Sequence, residues 1–144
     1  MKKLSYTLMM LVVLVTLGAS AAQAQTNNPQ RVIANIPFAF TVGTTSLPAG
    51  KYAISVVNPS SDRTVLRIRS VDGHASAMIL TNRVNSRPAD HAKLVFDSYD
   101  DRYFFMQAQM AGEVTSLAAI HSKSERKQMI ANAGKKRVIV ISAG

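Results

Sequence analysis

The stretch that decides the fold is Ile36-Pro37-Phe38-Ala39-Phe40-Thr41-Val42-Gly43-Thr44-Thr45-Ser46-Leu47-Pro48-Ala49-Gly50-Lys51-Tyr52. Phe38, Phe40 and Val42 alternate with Ala39 and Thr41, the period of a strand with one face in a core. Tyr52, Ile54 and Val56 repeat the pattern on the far side of a Leu-Pro-Ala-Gly corner. Proline second and glycine fourth is a type I turn signature, so the stretch reads as a hairpin with its corner at Pro48-Ala49-Gly50 and with Gly50 at positive φ. Pro37 has no N–H for a ladder and marks a break or strand switch. No side chain here has the chemistry of a nucleophile, base or metal ligand, so the pattern reads as architecture.

Working outward, the alternation recurs. Val32, Ala34 and Ile36 share one face. Leu66 and Ile68 alternate with Arg67 and Arg69, and Asp72-Gly73 is a strong hairpin signal. In Ala75–Thr81 both faces are apolar, Ala77 with Ile79 and Met78 with Leu80, which predicts a covered central strand. Leu94 and Phe96 follow. Then Phe104, Met106, Ala108 and Met110 form one face of a strand, with Tyr103, Phe105, Gln107 and Gln109 on the other. Phe38, Phe40, Tyr52, Ile54, Leu66, Ile68, Phe96, Phe104 and Met106 are the expected core. The period changes only once. Ser122 and Glu125 have capping-box spacing and open a short charged helix that Ala133-Gly134 would end. The closing run Val138-Ile139-Val140-Ile141 reads as a buried strand. About eight or nine short strands and one short helix near the C-terminus predict an all-β fold, an antiparallel sandwich or small barrel.

The N-terminus has its own signature. Lys2 and Lys3 precede an apolar run from Leu8 to Leu17, too short for a membrane span of about 20 residues. Ala22-Gln23-Ala24 then supplies the small residues of a signal-peptidase site. Residues 1–24 read as a secretory signal peptide, 25–31 as a polar linker and 32–144 as a single β-sandwich domain. The expectation is an exported protein, periplasmic or extracellular, with no transmembrane segment in the mature chain. The sequence has 144 residues; less the 24 of the leader, 120 remain, enough for one core without staples. It must rely on that core, because cysteine is absent. That excludes thiol catalysis, thiolate metal sites and lipid attachment at a cysteine.

The net charge is +9, or +7 once Lys2 and Lys3 are removed. Lys123, Arg126, Lys127, Lys135, Lys136 and Arg137 gather toward the C-terminus, where they would suit an anionic polysaccharide or envelope surface. Nucleic acid is not expected, because aromatics are not interleaved with these cations and the chain is exported. His74, His91 and His121 lie in predicted turns or at element ends, without ligand spacing, and read as solvated. Asp97, Asp100 and Asp101 lack the glycine and glutamate of a calcium loop. No nucleophile elbow or phosphate loop occurs. The residues therefore point to no catalytic, cofactor or metal site. They point to an exported, non-enzymatic structural or interaction module, with a binder of anionic envelope polymers and a small hydrolase as alternatives.

Four blocks in order, residues 36–54, 65–82, 93–109 and Ser122-Lys123-Ser124-Glu125-Arg126, resemble small exported proteins, mostly uncharacterised, of acidobacterial-type soil bacteria. The likeness spans residues 32–130. It implies an exported, mostly β, single-domain protein and brings no catalytic or binding residues with it. A Leu-Pro often precedes the fourth block in that group; here His121 does.

Overall fold

The structure is a computed structural model and describes residues 31–61, 63–131 and 136–144. The leader, all of the linker but Arg31, the Ala133-Gly134 helix stop and Lys135 lie outside the described residues. Ten strands form one sheet: β1 (Arg31–Ile36), β2 (Phe40–Val42), β3 (Thr45–Leu47), β4 (Gly50–Val56), β5 (Thr64–Ser70), β6 (Ser76–Asn85), β7 (Ala92–Tyr99), β8 (Arg102–Gln109), β9 (Thr115–Ala119) and β10 (Lys136–Ala143). One helix, α1 (Lys123–Ala131), lies between β9 and β10. The fold is all-β, as the alternation predicts, and the first strand takes in Arg31, placed in the linker by sequence.

Pairing runs β1-β4-β5-β6-β9-β8, with β7 and then β10 continuing from β8, each contact antiparallel. Beyond the end of β9, β2 joins β8 in a parallel contact at Thr41 and Phe104, and β3 lies against β6. The Gly144 N–H reaches the Ile33 carbonyl at 3.3 Å, so the sheet curls until its last strand meets its first. No ladder joins β1 to β10 among the described residues, and the sheet stays open. One core draws on all ten strands.

The decisive stretch departs from its sequence reading in one respect. The hairpin turns at Gly43-Thr44, where Val42 pairs with Thr45, and Gly43 has φ 60°. Leu47-Pro48-Ala49-Gly50 is instead a corner that carries the chain across to β1, with Gly50 opposite Ile36. Gly50 is not at positive φ: the ladder to β1 holds it extended. The Tyr52 hydroxyl donates to the Pro48 carbonyl at 2.6 Å and pins the corner.

A second departure lies in β8. Val95 pairs with Gln107 and Phe96 with Phe105, which leaves Met106 as an extra residue. One inserted residue reverses which face each later side chain takes. Tyr103, Phe105, Ala108 and Met110 therefore serve the core, and Phe104 and Met106 pack outside it with Tyr99 and Met129. Phe38, Phe40, Tyr52, Ile54, Leu66, Ile68 and Phe96 sit in or against the core as expected. Phe96 is its hub, with edge contacts to Phe38 at 5.2 Å, Phe40 at 5.4 Å and Phe105 at 5.8 Å. Two further expectations fail. Met78 and Leu80 are exposed, as are Val138 and Val140, because nothing among the described residues covers those outer faces.

Backbone geometry reverses the expected glycine sensitivity. Gly43→Ala should cost more than about 1 kcal/mol, because a Cβ at positive φ is strained and would stand 3.3 Å from the Glu125 carboxylate. Gly50→Ala should cost less than that, since its Cβ meets only the Tyr52 ring at 3.7 Å. Phe40→Ala should cost about 3–5 kcal/mol. Denaturant melts of the three variants check this; equal losses at Gly43 and Gly50 would refute it.

Candidate functional site

The basic C-terminal region divides in space. Ser122 and Glu125 form the reciprocal cap: the Ser122 N–H donates to the Glu125 carboxylate, and the Glu125 N–H donates to the Ser122 hydroxyl at 3.2 Å. This fixes the register of α1, which buries Glu125 and Met129 and leaves Lys123, Arg126 and Lys127 exposed. Lys136 behaves differently. Its ammonium lies 2.9 Å from Asp97, a carboxylate buried on the outer side of β7. The hydrogen bond to Asp97, and then its charge, hold the lysine above its ordinary pKa. Arg137 pairs across from Ser98 and projects from the opposite face of β10 to Lys136. So three of the six cations share the helix, one is tied to a carboxylate, one faces away, and Lys135 lies outside the described residues.

Beneath the start of α1 is a polar cluster that the sequence does not announce. His121 is half-buried, and neither ring nitrogen has a hydrogen-bond partner. Burial pushes its imidazole below the usual range, against the opposing pull of the Glu125 and Asp97 carboxylates, with Arg126 adding to the depression. His74 and His91 are exposed, as expected; His121 is not, because α1 folds back over β7 and β8. Among the described residues no three His, Cys, Asp or Glu side chains come together as metal ligands. No described helix is long and apolar enough to cross a membrane.

The buried serines are structural. The Ser70 hydroxyl donates to Asp72 and accepts the Ala75 N–H, closing the β5–β6 turn. Hydrogen bonding from Ser70 is the largest cause that holds Asp72 below the usual carboxylate range. Ser116 shares a 2.6 Å hydrogen bond with Ser86 and accepts one from the Gln107 amide. The Ser98 hydroxyl donates to the Asp100 carbonyl at 3.3 Å. None of the three bonds a histidine, the partner that activates such a nucleophile.

The sheet also holds a cavity of about 140 Å³ where β4 and β8 end and β5 and β9 begin. Val56, Ala108, Met110 and Leu117 give it apolar walls, and Thr64 and Thr115 add hydroxyls. Thr64 is missed when the strand is read from Leu66. Extending the alternation back two residues would have placed it on the core face. The chain matches no protein-family model, and no curated protein and no solved structure matches it.

His121 makes stability depend on pH. Its folded pKa lies below the ordinary 6.5, so acid protonates the unfolded chain first. Its contribution is complete above the ordinary value and is lost as pH falls below it. The groups facing it are Glu125 and Arg126 from α1 and Asp97 from β7, itself bound to Lys136. Thermal melts between about pH 7.5 and 5.5 should show a drop that His121→Met removes. The same drop in both proteins would disprove the assignment.

Proposed function

We propose that this chain is an exported, non-enzymatic module that acts by association, and that a second copy of the chain takes the open edge of β10. The N-terminal signature and the four-block resemblance support export to the periplasm or beyond. The structural use of Ser70 and Ser116 favours a binding role over the small-hydrolase alternative. One observation carries the association: among the described residues β10 forms a ladder only with β7, its other edge bonds β1 only through Gly144 and Ile33 and is unpaired around Ile139, and it exposes Val138 and Val140 at 59% and 52%. An unpaired edge bearing apolar side chains is a template for another strand. Two copies meeting antiparallel about Ile139 set Val138 opposite Val140 on one face. Lys136 then faces Ser142 and Arg137 faces Ile141, so no cation opposes another.

Analytical ultracentrifugation of residues 25–144 should show a dimer. Val138→Lys with Val140→Lys should abolish it while leaving the thermal midpoint almost unchanged, since both sites are exposed. A wild-type chain that stays monomeric up to its solubility limit would refute the edge pairing.

The second reading, binding of anionic envelope polymers, is favoured by Lys123, Arg126 and Lys127, exposed on one short helix and joined to no carboxylate among the described residues. Such binding weakens with salt through screening and counterion release. Retention on heparin or lipopolysaccharide at physiological salt, lost when the three are changed to Glu, supports it. Elution below physiological salt rules it out.

A further inference from the structure

We propose that the cavity at the β4–β5 end of the sheet is a binding site for a small, uncharged, mostly apolar molecule carrying one hydroxyl, of the phenol class. This goes beyond the proposed association and uses none of the same residues. The cavity's origin is visible in where the rings lie. Phe38, Phe40, Phe96, Phe105, Tyr52 and Tyr103 contact one another around Phe96, toward the end of the sheet where β4 and β8 begin. Tyr99 and Phe104 pack together outside, in the cluster beneath α1. The opposite end receives no ring and is lined by Val56, Ala108, Met110 and Leu117, which leave the 140 Å³ open. A closed apolar cavity of about 150 Å³ takes up benzene, so one ring fits this space by volume, although it opens to solvent on the side of Arg83 and Glu113.

Thr64 supplies the preference for a hydroxyl. It is 1% exposed and lines the cavity, and its Oγ1 is buried with no hydrogen-bond partner. Its carbonyl is already used, accepting from the Thr81 hydroxyl at 2.8 Å. A buried hydroxyl left unpaired is costly, and a turn about χ1 that brings Oγ1 to the cavity wall lets a ligand pair with it and recover that cost on binding. The mouth argues for an uncharged molecule. Arg83 and Glu113 both border it, with opposite charges, and the Arg83 guanidinium is already donating to the Pro59 carbonyl at 3.1 Å. Neither a free cation nor a free anion meets a field of one sign there.

Titration of residues 25–144 with phenol and with benzene, followed by amide chemical shifts and thermal midpoint, tests the site. Phenol should bind about tenfold more tightly than benzene, the ratio expected of one buried hydrogen bond. Shifts should concentrate at Val56, Thr64, Ala108, Met110 and Leu117. Thr64→Val, nearly the same shape without the hydroxyl, should remove the preference and keep benzene binding. Ala108→Leu, or Thr115→Phe at the rim should the first fail to fold, should abolish both. Equal affinity for the two probes, a preference that survives Thr64→Val, or no binding of either probe at millimolar concentration overturns the proposal. The last outcome would leave the cavity to ordered water.

Discussion

The arrangement of this protein depends on one extra residue. Met106 has no partner across β7, and its insertion lets a single strand serve two environments. Ahead of the bulge, Tyr103 and Phe105 enter the core while Phe104 faces out. Behind it, Ala108 and Met110 enter and Gln107 and Gln109 face out. Without the bulge, strict alternation would send either Phe105 or Ala108 to the wrong side. Phe104 and Met106, two apart, share the outer face and form an apolar landing there. That landing explains how α1, whose own apolar stripe is thin, finds a place to dock through Met129. Once docked, α1 sets the surroundings of His121, Asp97 and Lys136. The bulge thus keeps both halves of β8 in the core, while the landing on its outer face places the basic helix and the polar cluster beside it.

Sequence reading recovered what alternation encodes and lost what pairing decides. The strand faces of β1, β4, β5 and β7 follow directly from period two, and the cap at Ser122 and Glu125 from spacing. The turn signature locates the corner at Leu47–Gly50 along the chain but not its partner, which is β1. A turn signature says that the chain bends and not which strand it bends toward. Gly50 pairs with Ile36 across the sheet, so the ladder rather than the turn sets its φ. The bulge was illegible for the same reason: its cause is the register against Val95 and Phe96, which no local pattern in β8 carries. The exposed valines of β10 and the exposed Met78 and Leu80 of β6 show the limit of reading hydrophobicity as burial. An apolar residue on a strand has two faces available, and only the tertiary arrangement says which is covered.

The charged groups show how far composition misleads about sites. The C-terminal cations look like a patch in sequence because six fall within fifteen positions, 123 to 137. Strand geometry separates Lys136 from Arg137 at once, since neighbours on a strand face opposite ways. Asp97 then takes Lys136 for itself. A carboxylate so deeply buried is costly unless paired, so this ion pair is needed to satisfy Asp97 and leaves Lys136 little freedom to meet a ligand. The cations that remain available are those of α1, whose buried members are Glu125 and Met129. The helix therefore presents its basic side outward because its only acid is used in the cap.

The two ends of the sheet differ in a way that stability alone does not require. All five phenylalanines and the three tyrosines beyond the leader lie in the aromatic cluster or beneath the helix, and the cavity end holds none. A core under pressure only to fold would be filled more evenly, since a void forfeits contacts on every wall and an unpaired Thr64 hydroxyl adds its own cost. Valine at position 64 would keep the volume and the β preference and remove the unpaired group. The threonine therefore stands where packing favours another residue, in the same place where packing is incomplete. Two local costs meeting at one site are harder to attribute to chance than either alone, and mismatches between local preference and global fold collect where a protein does something besides fold.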